Sequence, residues 1–193
     1  MHRPLTVLPA LLLASVSAES QANEGGSRPT ELHLKFDGAN SEPEWTAQND
    51  NVMGGVSKGG AVIQDGSLVF TGSLSLENNG GFAQVRIQKL DRDLSGKRGM
   101  KLRVMGDGRT YQLRLATDAR YRGSRIAYYV PFATRAGEWT EIAVSFADLK
   151  PSHHGDDLDG PPVNLAQVEE MSFLIGDKRE GPFALKVDWM KAE

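Results

Sequence analysis

Apolar and polar positions alternate with a period of two along most of this chain, in short runs separated by clusters of Gly, Asn, Asp and Pro. Leu32, Leu34 and Phe36 share one face of a first strand. Residues 61–64 and 67–71 form a hairpin pattern around Asp65-Gly66, a favoured two-residue turn. Ala83, Val85 and Ile87 alternate against Phe82, Gln84 and Arg86. Leu102 and Val104 share a face in 100–105, and the same pattern places Tyr111 with Leu113 and Leu115, Ile126 with Tyr128 and Val130, and Ile142 with Val144 and Phe146. The last run sets Phe183, Leu185, Val187 and Trp189 on a buried face against Ala184, Lys186, Asp188 and Met190, with Phe173 and Ile175 marking a neighbouring strand. Turn signals recur at roughly the 8–12-residue spacing of an all-β sandwich. No long helical period appears; Asn164 can cap one short helix through Leu165, Ala166 and Val168. The pattern predicts an all-β fold, a single antiparallel sandwich with at most one or two short helices and no internal repeat.

The stretch 48–57 departs from alternation. Asn49, Asp50 and Asn51 favour Asx turns, Gly54-Gly55 permits positive φ and close backbone approach, and Val52, Met53 and Val56 call for burial, so it reads as a loop pinned against the core. Trp45 with Asn49-Asp50-x-Val52-Met53-Gly54-Gly55-x-Ser57, then Asn78-Asn79-Gly80-Gly81-Phe82, then Gly106-Asp107-Gly108-Arg109-x-Tyr111, resembles the complex I intermediate-associated protein family. Gly137-Glu138-Trp139 and Gly181-Pro182-Phe183 are similar to its later landmarks, so the resemblance runs from about Phe36 to about Met190. It implies a jelly-roll sandwich of the galactose-binding-like kind and, in mitochondrial members, help in assembling respiratory complex I. It implies no catalytic residue.

The chain ends differ from this middle. Residues 1–22 read as a secretory signal peptide: Arg3, an apolar run over 5–16 too short to span a bilayer, and small residues that offer cleavage before Glu19 or Asn23. Residues 23–30 read as a flexible leader of Gly, Ser, Pro and charge, and 31–193 as the sandwich domain. An exported protein, periplasmic or secreted and not inserted in the membrane after cleavage, is the expectation. With no cysteine there is neither a lipid-attachment site nor a disulfide. Removing the first 22 residues takes away one base, Arg3, and one acid, Glu19, so the formal charge stays at -3, against the basic stripe of a nucleic-acid binder. Arg114, Arg120, Arg122 and Arg125 form a local basic cluster that an ordinary solvated face also accounts for.

Four constellations bear on chemistry. Asp50 and Asp107 lie in the most Gly-rich loops, where a carboxylate pair can serve acid and base catalysis on a glycosidic bond; capping of loop amides is the favoured alternative. His153, His154 and Asp157 are weak metal candidates, since adjacent histidines point apart and the 157–160 segment lacks the closing Glu of a calcium loop. Tyr121 and Tyr129 fall on the wet side of their segments and are candidates for stacking on a sugar. Gly106-Asp107-Gly108-Arg109 is not a phosphate loop, because no helix and no Lys-Ser/Thr follow, so no cofactor is expected. The recognition surface is expected among Asn49, Asp50, Gly54, Gly55, Asn78, Gly81, Asp107, Arg109, Asp177 and Lys178, whose loops combine polar and basic groups with little to bury. What the resemblance implies, beside these readings, is a non-enzymatic protein-binding module, chaperone-like or an assembly factor, with a respiratory or other membrane complex as the candidate source of its client. The alternative is an exported carbohydrate or small-ligand binder.

Overall fold

The computed structural model describes residues 27–38 and 43–193, so the expected signal peptide and the first part of the expected leader lie outside the described residues. Thirteen strands follow among them: β1 His33–Lys35, β2 Thr46–Asn49, β3 Lys58–Gln64, β4 Ser67–Leu74, β5 Ala83–Ile87, β6 Gly99–Met105, β7 Thr110–Tyr121, β8 Ser124–Ala133, β9 Trp139–Ser145, β10 Lys150–His153, β11 Asp156–Asp157, β12 Glu170–Ile175 and β13 Gly181–Ala192. They make two antiparallel sheets. One runs β3-β4-β13-β6-β9 with β1 alongside the end of β13; the other runs β11-β10-β8-β7-β12-β5-β2. This is the predicted jelly-roll sandwich. Among the described residues, helical structure is limited to 3-10 turns at Asp50–Met53, Glu77–Asn79, Phe146–Asp148 and Leu165–Gln167.

The core lies between the sheets, where Ala83, Val85 and Ile87 of β5 meet Leu68 and Phe70 of β4, Leu102 and Val104 of β6, and Tyr111, Leu113 and Leu115 of β7. Burying each large apolar side chain contributes roughly 1.5–3 kcal/mol. Trp45 stacks on Phe173 at 5.8 Å between centroids, and Phe70 meets Phe183 edge-on at 4.9 Å.

Three expectations are corrected. The alternation of β13 breaks at a bulge: Val187 pairs with Val104 but Trp189 with Arg103, so Asp188 is the extra residue. Met190 and Ala192 therefore take the core face, and Trp189 is only half-buried. Asn164 does not cap its turn; its side-chain amide donates to Asp118 Oδ1 at 3.1 Å. Val52, Met53 and Val56 are 62%, 57% and 43% exposed, because the 3-10 turn puts the buried contact of this segment on Asp50 instead. At the other end of the chain, residues assigned to the leader touch the domain: Arg28 pairs with Asp91, and Pro29 O accepts from Asp93 N.

Candidate functional site

Strand directions bring four loops, 50–57, 75–82, 106–109 and 176–180, to one end of the sandwich. Two buried charged side chains organise them, the Asp50 carboxylate and the Arg109 guanidinium. Asp50, fully buried, accepts from Ser57 N at 2.9 Å through Oδ1, and from Gly81 N at 2.6 Å and Phe82 N at 3.3 Å through Oδ2. The glycines of both motifs follow from this. A Cβ on Gly55 would lie 2.4 Å from Asp50 Cγ, and one on Gly80 would lie 2.6 Å from its Oδ2. Burial acts to raise the Asp50 carboxyl, but the hydrogen bonds from Ser57, Gly81 and Phe82 outweigh it and hold the group below the ordinary carboxylate range. Asn78, with φ of 56°, ties the same loops by donating to Gly54 O at 3.2 Å, and Asn49 donates to Gly59 O at 3.0 Å.

The second cluster is built on Arg109, only 5% exposed. Its guanidinium forks onto Asp177, with Nε to Oδ2 at 2.9 Å and NH2 to Oδ1 at 2.5 Å, and also donates to the carbonyls of Arg179 and Pro182. Asp107 accepts from Arg109 N at 3.0 Å, Tyr111 Oη at 3.1 Å and Ala184 N at 2.9 Å. Burial and the Asp107 carboxylate together push the Tyr111 phenol far above its usual range. Burial acts to raise Asp177 as well, and the Arg109 guanidinium outweighs it.

The expected recognition residues thus form two clusters. Asn49, Asp50, Gly54, Gly55, Asn78 and Gly81 gather around one carboxylate, and Asp107, Arg109 and Asp177 around one ion pair; Lys178 is exposed beside them with φ of 60°. Asp50 and Asp107 share no hydrogen-bond partner. Each carboxylate accepts three hydrogen bonds from the protein's own donors, one through Oδ1 and two through Oδ2.

The candidate metal residues sit on the β10–β11 hairpin. Left-handed backbone at His154 and Gly155 makes its turn and sets the two imidazoles edge-to-face at 4.1 Å, where the sequence had them pointing apart. His153 Nε2 lies 2.7 Å from Ser124 Oγ, and Asp157 accepts from Tyr129 Oη at 2.7 Å. Among the described residues no group of three or more His, Cys, Asp or Glu could hold a metal ion.

Between the 50–57 loop and this hairpin, the outer face of the seven-stranded sheet carries an open cleft of about 570 Å³. Its floor holds Gln48, Gln84, Gln112, Arg114, Tyr129 and Leu174; Val52, Met53, Gly81 and His154 contribute to its walls. Of the two candidate stacking tyrosines, Tyr129 is here and Tyr121 is not: it is exposed at the β7–β8 turn beside Arg122 and His153. Sequence reasoning missed the three glutamines and gave Arg114 no role. The available signal for most of them was the wet half of the alternation, which holds Gln84 and Arg86 in β5 and Gln112 and Arg114 in the first half of β7.

Residues 34–187 match the model of the family described as Complex I intermediate-associated protein 30. A relative of that name, the mitochondrial protein of Mus musculus, is 31% identical over 107 residues, which are 53% of this chain and 32% of the mouse protein. Among solved structures, a family 11 carbohydrate-binding module of Clostridium thermocellum in complex with a β-1,3-1,4-mixed-linked tetrasaccharide superposes with a TM-score of 0.62 at 12% identity, over 83% of this chain and 94% of that one. A family 30 carbohydrate-binding module gives 0.51 at 13% identity, over 84% and 99%. These structures share the fold. The family match, which extends over most of the sequence and takes in every loop built around Asp50 and Arg109, shows that the chain belongs to the complex I intermediate-associated protein 30 family.

Proposed function

We propose that this chain is a non-enzymatic, chaperone-like or assembly-factor module that is exported and holds a protein client at the mouth of the open-face cleft. The observation that carries this reading is the exposure of Val52, Met53 and Val56 on a turn whose backbone is clamped by Asp50. Mobile loops expose apolar groups routinely, but here a buried carboxylate fixes the turn. Apolar side chains displayed in a fixed array contribute little to folding and gain roughly 25 cal/mol per Å² when a partner covers them. Family membership supports a client that belongs to a respiratory or other membrane complex, and the apolar run over residues 5–16 supports a client met after export. The engagement of Asp50 and Asp107 in three structural hydrogen bonds each, with no shared partner, supports a binding role over a hydrolytic one.

A photo-crosslinking residue at position 56 should give discrete protein adducts in intact cells. Val52→Ser with Met53→Asp should abolish them without lowering the melting temperature. A glycan ligand is the second reading, favoured by Tyr129 and the three cleft glutamines, whose amides suit vicinal hydroxyls, on a fold shared with carbohydrate-binding modules. Blank crosslinking together with a positive glycan array would decide for it. Mature protein whose intact mass still includes residues 1–18 would rule out export by cleavage.

A further inference from the structure

Across the outer face of the seven-stranded sheet, one row of residues in register reads Arg86 on β5, Ser172 on β12, Arg114 on β7, Tyr129 on β8 and Lys150 on β10. Three of the five are cationic, and they differ in how their charge is met. Arg86 pairs with Glu170 at 3.4 Å, and Lys150 is exposed to water. Arg114 lies partly buried on the cleft floor between them, and among the described residues no carboxylate comes within ion-pair distance of it. Its side-chain hydrogen bonds go to neutral oxygens, Gln112 Oε1 at 3.4 Å and Ser152 Oγ at 3.1 Å, and its guanidinium carbon is 5.9 Å from the Tyr129 ring centroid. A guanidinium has five N–H donors, so most of its capacity is unused. Arg109, by contrast, meets a bidentate carboxylate and backbone carbonyls. Burial holds Arg114 below the usual arginine range, as expected for a charge removed from water without a counter-charge.

We propose that Arg114 is the anchor of the cleft and that it receives a carboxylate from an acidic side chain in an extended segment of the protein client. This rests on the client reading above. The neighbourhood favours an acidic peptide over an acidic sugar, because Met53 and Leu174 line the same cleft as the cation. In an extended segment, residues i and i+2 face one way roughly 6.5 Å apart, which allows a carboxylate on Arg114 and an apolar side chain against Met53. A uronate would turn a hydroxyl-covered ring to those same apolar atoms. The row of Arg86, Arg114 and Lys150 also disfavours any cationic segment.

The test is an isotope-edited NMR titration of the mature chain with acetyl-Leu-Ser-Glu-Ser-Leu-amide, its Gln counterpart and galacturonate. The Glu peptide should shift the amides of Gln84, Gln112 and Arg114 saturably and bind about ten-fold more tightly than the Gln peptide. Arg114→Gln should erase that difference. Ser172→Asp sets a carboxylate in register beside Arg114, so it should also erase the difference while raising the melting temperature, an outcome a purely structural role for Arg114 does not give. Equal binding of the two peptides, or a Glu preference that survives both variants, overturns the assignment of Arg114; if that binding is lost with Met53→Asp, the client reading still stands. Galacturonate shifting these amides while neither peptide does overturns both. Silence from all three probes at millimolar concentration overturns the anchor itself.

Discussion

Asp50→Asn changes one atom and tests whether the Asp50-centred motif is architecture. The carboxylate accepts three backbone N–H groups, one through Oδ1 and two through Oδ2. An asparagine has one oxygen, so in either orientation its NH2 faces at least one of those donors. In the better orientation the oxygen keeps Gly81 and Phe82, and the buried Ser57 N–H loses its acceptor. Leaving a buried donor unmet costs about 1–3 kcal/mol, and converting the remaining bonds from charged to neutral acceptors costs about 1 kcal/mol each. Relief from burying a charge offsets part of this, so a net loss of about 2–4 kcal/mol is expected. For a domain of this size that is about 5–15 °C in melting temperature. The pH dependence has a definite sign. The folded-state pKa of Asp50 is depressed, so its contribution is fully present above the unfolded carboxyl value of about 3.9 and is lost as pH falls through the folded value. Urea melts should therefore show a constant gap between wild type and Asp50→Asn from neutral pH to about pH 5, narrowing below about pH 4. Equal stability at neutral pH, or a gap unchanged in acid, would refute the role given to Asp50.

Gly55→Ala places Cβ 2.4 Å from Asp50 Cγ, whereas Gly54→Ala enters open space and strains only a φ of 93°. Chemical melts should rank Gly55→Ala well below Gly54→Ala, which should lose only about 1–2 kcal/mol. Arg109→Met strands the largely buried Asp177 carboxylate and should lose about 3–5 kcal/mol, with Arg109→Met/Asp177→Leu less destabilised than the single variant. A double-mutant cycle with no coupling would show the pair to be incidental. Because of the bulge at Asp188, Met190→Ala should lose about 2–5 kcal/mol and exceed Trp189→Ala. The reverse order in thermal melts would return Trp189 to the core.

Ten of the thirteen strands, and the faces of most of them, were legible in the sequence; β2, β10 and β11 were not. Alternation is a local property, and a wrong register would turn Ala83, Val85 and Ile87 to water. The Asp65-Gly66 hairpin likewise needs only its own residues and positive φ at both turn positions. The sandwich followed from these patterns and from the motif resemblance. Four things needed the tertiary structure. The bulge at Asp188 depends on how β13 registers with β6, which nothing within β13 encodes. The roles of Asp50 and Arg109 depend on partners 31 and 68 residues away, so motifs that read as recognition loops became a clamp and an ion pair only when the chain closed. The burial expected of Val52, Met53 and Val56 failed for the same reason: the place against the core in that segment went to a charged side chain, because only a carboxylate could satisfy the converging amides. The row through Arg114 is likewise an assembly of five strands, of which only β7 and β8 are joined by a hairpin, and pairing order between strands is set by the whole sheet.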